Sequence, residues 1–242
     1  MNTSMDWLNI GLWGMIIGTV AIVLFSSTLR KEDRHHAYLA GWITLIASTS
    51  YYALTVGFGD FTINGQVVQV ARYADWIITT PLLLASLILV ALPKNKSKER
   101  TSILTGIIGL DVFMIATGLF ATLTTNKWPW YIFSCVALVL IAYMLYVVVL
   151  DESKKVAGKK IVKIYTSLAM FLSVLWLAYP AVWYLAGSGV GTLTTQTENA
   201  IYTVLDVTAK AGFGLLLLAS IKSLAVSVKP KDGVSTVEAA SK

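Results

Sequence analysis

The stretch LDVTAKAGFGLLLLAS, residues 205–220, decides how the chain is read. Its apolar content is that of a membrane-spanning helix. Yet Asp206 and Lys210 sit inside it, one turn apart, with leucines continuing for two more turns. Residues four apart share a helix face. A charge at mid-bilayer costs at least about 2.5–3.5 kcal/mol, so a span that keeps two is a functional candidate.

The rest of the chain agrees with a membrane reading. Of 242 residues, 56% are hydrophobic and only 13% charged; soluble domains carry about a quarter charged residues. Mean hydropathy is +0.71. The apolar residues fall into blocks at 7–28, 38–57, 71–92, 102–123, 129–150, 163–186 and 199–225, near the roughly 20 residues that cross about 30 Å of hydrocarbon. The expected fold is all-α: a seven-transmembrane-helix bundle forming one domain over residues 1–228, with a cytoplasmic, disordered tail over 229–242. The first block lacks a basic segment ahead of it and a small-residue cleavage site, and is expected to be retained as a helix rather than removed as a signal peptide. No internal repeat of the transporter kind is visible. Cys135 is the only cysteine, which excludes an intramolecular disulfide, and a small core residue is expected there.

Basic residues set the orientation. Every Lys and Arg except Arg72, Lys127 and Lys210 lies in or at the edge of the first, third or fifth connector, or in the last turn and tail. The positive-inside rule then places the N-terminus outside and the C-terminus in the cytoplasm, in a multi-pass protein of the cell membrane. The net charge of +6 suits a face meeting anionic lipid and calls for no nucleic-acid partner. His35 and His36 lie in a basic connector and read as solvated, with no metal role.

The charges within the spans are few: Arg72, Asp75, Asp111, Asp206 and Lys210, with Glu198 at the mouth of the seventh block. In the third block, ARYADWIITTPLLLASLIL, the spacings of three and four put Arg72, Asp75 and Thr79 on one face. Ser86 follows Asp75 by eleven residues, about 16 Å along the axis at 1.5 Å per residue. Lys210 is too far from either end of its span to snorkel, and a buried amine is a nucleophile toward a carbonyl. A protonated imine there would need counter-ions, which Asp75 and Asp206 could supply while Arg72 balances the remaining charge. The sixth block, WLAYPAVWY, sets Trp176, Tyr179 and Trp183 on one face; Trp76, Tyr51, Tyr131 and Met114 could complete an apolar slot. An aromatic stripe alone is ordinary packing, but beside a mid-membrane lysine it reads as the wall of a ligand pocket.

RYADWIITTPLL, WLAYPAVW and LDVTAKAGFG together resemble the microbial (type 1) rhodopsins, of the bacteriorhodopsin-like group, and the resemblance covers all seven blocks. It implies all-trans retinal on Lys210 as a protonated Schiff base, with Asp75 as primary counter-ion and proton acceptor and Asp206 as second counter-ion. It implies Thr79 hydrogen-bonded to Asp75, Arg72 relaying the proton outward, Trp76 and Trp176 sandwiching the polyene with Tyr179 and Trp183 nearby, and Tyr51 bonded near Asp206. Met114, Gly118, Trp130, Tyr131 and Ser134 match pocket positions, as do Thr80 and Leu83; leucine at Leu83 leans toward green absorption. Asp111 resembles a structural, protonated acid. A homo-oligomer, trimer or pentamer, is implied too.

Two departures bear on function. The third-helix signature is Asp75, Thr79, Ser86, where pumps of this group commonly end on a carboxylate that returns a proton to the Schiff base. Glu198 matches one member of the bacteriorhodopsin release pair, but Ser188 stands at the other. Anion pumping is excluded by the Asp75 carboxylate, sodium pumping by the lack of Asn and Asp in the signature, and channel conduction by a second block without carboxylates between Gly41 and Val56. The expected function is a light-driven outward proton pump, not an enzyme, with slow reprotonation near Ser86. The alternative is a photosensor signalling through a transducer, then an inward pump. Asp206, where related sensors and inward pumps carry proline, and Ala209, where archaeal phototaxis receptors favour threonine, lean toward the pump. Outside the family the alternative is a seven-helix protein without chromophore, against which intact Lys210, Asp75 and Asp206 argue.

Overall fold

The computed structural model describes residues 3–63, 66–92 and 97–227. Seven helices run antiparallel in chain order: α1 (Thr3–Ser26), α2 (Arg34–Thr55), α3 (Val70–Ala91), α4 (Ser97–Leu123), α5 (Lys127–Val156), α6 (Lys159–Leu185) and α7 (Thr195–Ala225). All but α2 are long and apolar enough to cross a membrane. The second helix is poorer in apolar residues because its inner face carries Thr44, Ser48 and Tyr51, buried alongside Ala40, Ile43 and Ala47. Sequential neighbours pack side by side and α7 returns against α1, which closes the ring. Side chains such as Trp13, Val139 and Leu177 project outward with 60–67% of their surface exposed, the apolar rim that a bilayer requires. The protein is therefore a multi-pass integral membrane protein. The tail 229–242 lies outside the described residues.

The connector between α2 and α3 contains an antiparallel hairpin, β1 (Asp60–Ile63) and β2 (Gln66–Gln69), with Asp60 opposite Gln69 and Ile63 opposite Gln66. It marks one end of the bundle, the hairpin end; the other is the basic end. α7 starts a turn earlier than expected, where the Thr194 hydroxyl caps the helix by accepting from the Thr197 amide at 3.2 Å. Glu198 is thus inside its first turn. His35 and His36 also differ from expectation: α2 begins early enough to include both, and His36 is buried.

Among the described residues, two helices contain π turns, Met144–Val149 in α5 and Thr208–Gly212 in α7. The second surrounds Lys210, and such bulges gather at functional sites. Close approach of α1 holds this segment in place. A Cβ on Gly18 would meet the Ala211 Cβ at 2.5 Å, so only glycine lets α1 pack there. Towards the basic end the bundle is filled by Leu83, Leu84, Leu87, Ile88, Ile107, Leu168, Leu172, Phe213 and Leu217.

Candidate functional site

At mid-bundle, α3 and α7 bring four charges together. The Lys210 ammonium contacts Asp75 Oδ2 and lies 3.2 Å from Asp206 Oδ1; Arg72 Nη1 lies 3.9 Å from Asp206 Oδ2. All four side chains are at most 4% exposed. Two cations and two carboxylates leave the cluster neutral, the condition for burying charge without a large penalty. Asp206 is held hardest: Tyr51 Oη donates to Oδ2 at 2.9 Å, and Tyr179 Oη and Trp76 Nε1 donate to Oδ1 at 2.9 and 3.1 Å. These donors come from α2, α6 and α3, so one carboxylate fixes four helices. Asp75 is held less. Its Oδ1 has no hydrogen-bond partner in the protein, and the Thr79 hydroxyl donates to the Asp75 main-chain carbonyl at 2.9 Å. A helical threonine commonly makes this bond four residues back, and the Thr79 hydroxyl also lies close enough to act on the Asp75 carboxylate.

Beside Lys210 opens a cavity of about 780 Å³, its mouth included. Trp76, Thr80, Leu83, Met114, Gly118, Tyr131, Ser134, Trp176, Tyr179 and Trp183 all line it, as the sequence predicts, with Lys210 and Asp206 at one end. Tyr131 and Trp183 stack at 4.7 Å between centroids. The lining is overwhelmingly apolar and aromatic, and its polar side chains are largely committed elsewhere. Ser134 donates to the Met114 carbonyl at 2.9 Å and Thr80 to Asp111 Oδ2 at 2.6 Å. Asp111 is fully buried behind Thr80, away from the Lys210 cluster.

Three expectations are corrected. Tyr51 is not in the cavity lining; it packs against Gly11 and reaches Asp206 instead. Trp130 is 36% exposed and meets Phe120 and Phe133 edge-on, on the outer surface of the bundle. One residue is 100° of helix, so with Tyr131 turned inward its neighbour faces out. Cys135 is half-buried in the cavity wall rather than in the core.

The site also includes residues that the sequence did not single out. Tyr202 lies under Arg72, whose guanidinium carbon is 4.7 Å from the ring centroid. Arg72 Nη2 donates to Gln69 Oε1 at 2.9 Å and to Asn199 Oδ1 at 2.8 Å. Thr122 joins Tyr73, at 2.6 Å, to the indole N–H of Trp183, at 3.0 Å. Spacing on α7 offered one signal: Asn199, Tyr202 and Asp206 recur on one face.

Comparison with known proteins shows the family. The model of the family described as bacteriorhodopsin-like protein matches residues 2–224. The chain is 37% identical over 223 residues to a bacteriorhodopsin of Haloterrigena sp., covering 88% of this chain and 86% of that one. It is 31% identical over 226 residues to the sensory rhodopsin-2 of Haloarcula vallismortis, covering 93% of each. The crystal structure of the light-driven proton pump rhodopsin of Coccomyxa subellipsoidea superposes with a TM-score of 0.82 at 30% identity, covering 91% of this chain and 97% of that one. The family implies a retinal chromophore bound to a lysine through a Schiff base, which fits an apolar cavity with one buried lysine at its end. With its seven helices, buried lysine and paired carboxylates, the chain belongs to the bacteriorhodopsin-like family of microbial rhodopsins.

Proposed function

We propose that the protein is a light-driven outward proton pump, with the N-terminus and the hairpin end outside and the basic end in the cytoplasm. All-trans retinal, carried on Lys210 as a protonated Schiff base, would supply light absorption and a proton that isomerisation makes available at that nitrogen. The observation that carries the reading is the contact of Lys210 Nζ with Asp75 Oδ2, whose partner oxygen Oδ1 has no protein donor.

An acceptor must gain a proton without losing many existing bonds, and Asp75 meets that condition. Asp206 already accepts from three neutral donors besides Lys210, has little acceptor capacity left, and acts as the standing counter-ion. Transfer to Asp75 therefore moves charge toward the hairpin end, where Arg72 on α3 and then Glu198 on α7 lie. The stacked rings and the leucine-filled half toward the basic end exclude water from the other side.

Ser86 shapes the return. It is fully buried among those leucines and its hydroxyl donates to the Leu82 carbonyl at 2.9 Å. A hydroxyl so placed orients water but donates no proton near neutral pH, so recovery of the dark state is slow. That slowness is also what a photosensor would use, and the similarity to a sensory rhodopsin keeps that as the second reading. An unbuffered suspension of illuminated, retinal-supplied cells separates the two. Acidification abolished by a protonophore supports outward pumping; alkalinisation or an unchanged pH overturns it, the latter in favour of the sensor.

A further inference from the structure

Arg72 is one turn from Asp75 on α3, yet among the described residues its ion pair is with Asp206, at 3.9 Å, and none is made with Asp75. The explanation lies on its other nitrogen. Nη2 is held between two neutral amide oxygens, Gln69 Oε1 at 2.9 Å and Asn199 Oδ1 at 2.8 Å. Gln69 ends the hairpin one turn ahead of Arg72, and Asn199 lies seven residues before Asp206 on α7. Both are therefore on the hairpin side of the guanidinium, opposite to Asp75. Asn199 is 2% exposed, so its oxygen is a dry, fixed acceptor. Nη1 is left without a hydrogen-bond partner, a charged donor that any freedom of movement would bring to a carboxylate.

We infer that Gln69 and Asn199 are positioning residues that draw Arg72 away from Asp75 in the dark, and so set the pH below which the acceptor is already filled. The inference rests on the pump reading for what Asp75 does. Asp206 is the anionic partner of Arg72 at Nη1, at 3.9 Å, while on the hairpin side two neutral amides hold Nη2 by hydrogen bonds. A second carboxylate in their place would hold the guanidinium too strongly for it to respond when Asp75 is neutralised. Other groups act on the guanidinium as well: Tyr51 from α2, Glu198, Tyr202 and Asp206 from α7, and Asp60 from the hairpin. Lys210 reaches it through the shared Asp206. Burial pushes the Asp60 carboxyl above its usual range while Arg72 opposes the shift.

The test is a dark titration of the visible band of the retinal-loaded protein, which reports the ionisation of Asp75 without requiring transport. In Asn199→Ala the released guanidinium turns to the carboxylates and stabilises ionised Asp75. The midpoint should fall by about one pH unit, the low end of the effect of a nearby opposite charge. Gln69→Leu, at a half-buried position, should move it the same way and carries the test if Asn199→Ala does not fold. In an Arg72→Gln background neither replacement should move the midpoint further. A midpoint that stays or rises in the single variants, or that still moves without Arg72, overturns the inference. Failure of the unaltered protein to form a visible band would instead overturn the pump reading.

Discussion

The phenol of Tyr51 donates to Asp206 Oδ2 at 2.9 Å across 155 residues of chain, and tucks its ring against Gly11. A Cβ on Gly11 would meet the Tyr51 ring at 2.1 Å, so the glycine is what lets the phenol reach the carboxylate. Tyr51→Phe should lower stability by about 1.5–3 kcal/mol, the worth of a hydrogen bond to a charged group. Gly11→Ala should lower it by about 1–3 kcal/mol through overpacking. Thermal bleaching of the visible band measures both; unchanged bleaching in Tyr51→Phe would mean that the other donors suffice.

The neutrality of the buried cluster makes a paired prediction. Lys210→Ala should abolish the visible band and leave Asp75 and Asp206 facing one cation. Breaking a buried pair in this way costs about 3–5 kcal/mol. Adding Asp75→Asn restores neutrality, so the double variant should resist thermal aggregation better than Lys210→Ala alone. Equal or lower resistance would show that the charges are compensated by other means.

Ser86 predicts the slow step. Ser86→Asp places a proton donor among the leucines, and recovery of the band after a flash should quicken by about 10²-fold, the low end of general acid catalysis. Azide, a small diffusible donor, should speed the unaltered protein and affect Ser86→Asp little. Unchanged recovery in the variant would mean that water already reaches the Schiff-base nitrogen fast enough.

Thr122 predicts a change of colour without loss of binding. Its hydroxyl joins Tyr73 to the Trp183 indole at the cavity wall. Thr122→Val should free the indole, shift the absorption maximum and reduce stability by about 1–3 kcal/mol for the buried groups left unpaired. Comparing the absorption spectrum and bleaching rate of the variant with the unaltered protein checks it.

What was legible in the residues follows from what makes membrane folding simple. Apolar blocks of one length announce helices, and a charge inside a block stands out, so Lys210, Asp206, Asp75 and Arg72 were visible at once. The aromatic lining followed from helical spacing. The hairpin was missed because its strands are four residues each, although Asn64–Gly65 lies between them in the sequence as a turn signal. The π turn around Lys210 has no residue signature. Gln69, Asn199 and Thr122 are neutral and ordinary in sequence, and become part of the site only through partners 3, 127 and 49 to 61 residues away. Trp130 was misplaced because a motif match does not fix which way a helix faces its neighbours.

The central claim is that Asp75, the carboxylate touching Lys210 Nζ, receives the proton. Light-minus-dark infrared difference spectroscopy of the retinal-loaded protein tests it most directly. The account predicts a carboxylic acid C=O band that rises after illumination, decays as the dark state recovers and is missing in Asp75→Asn. A band that persists in Asp75→Asn and disappears in Asp206→Asn would contradict it.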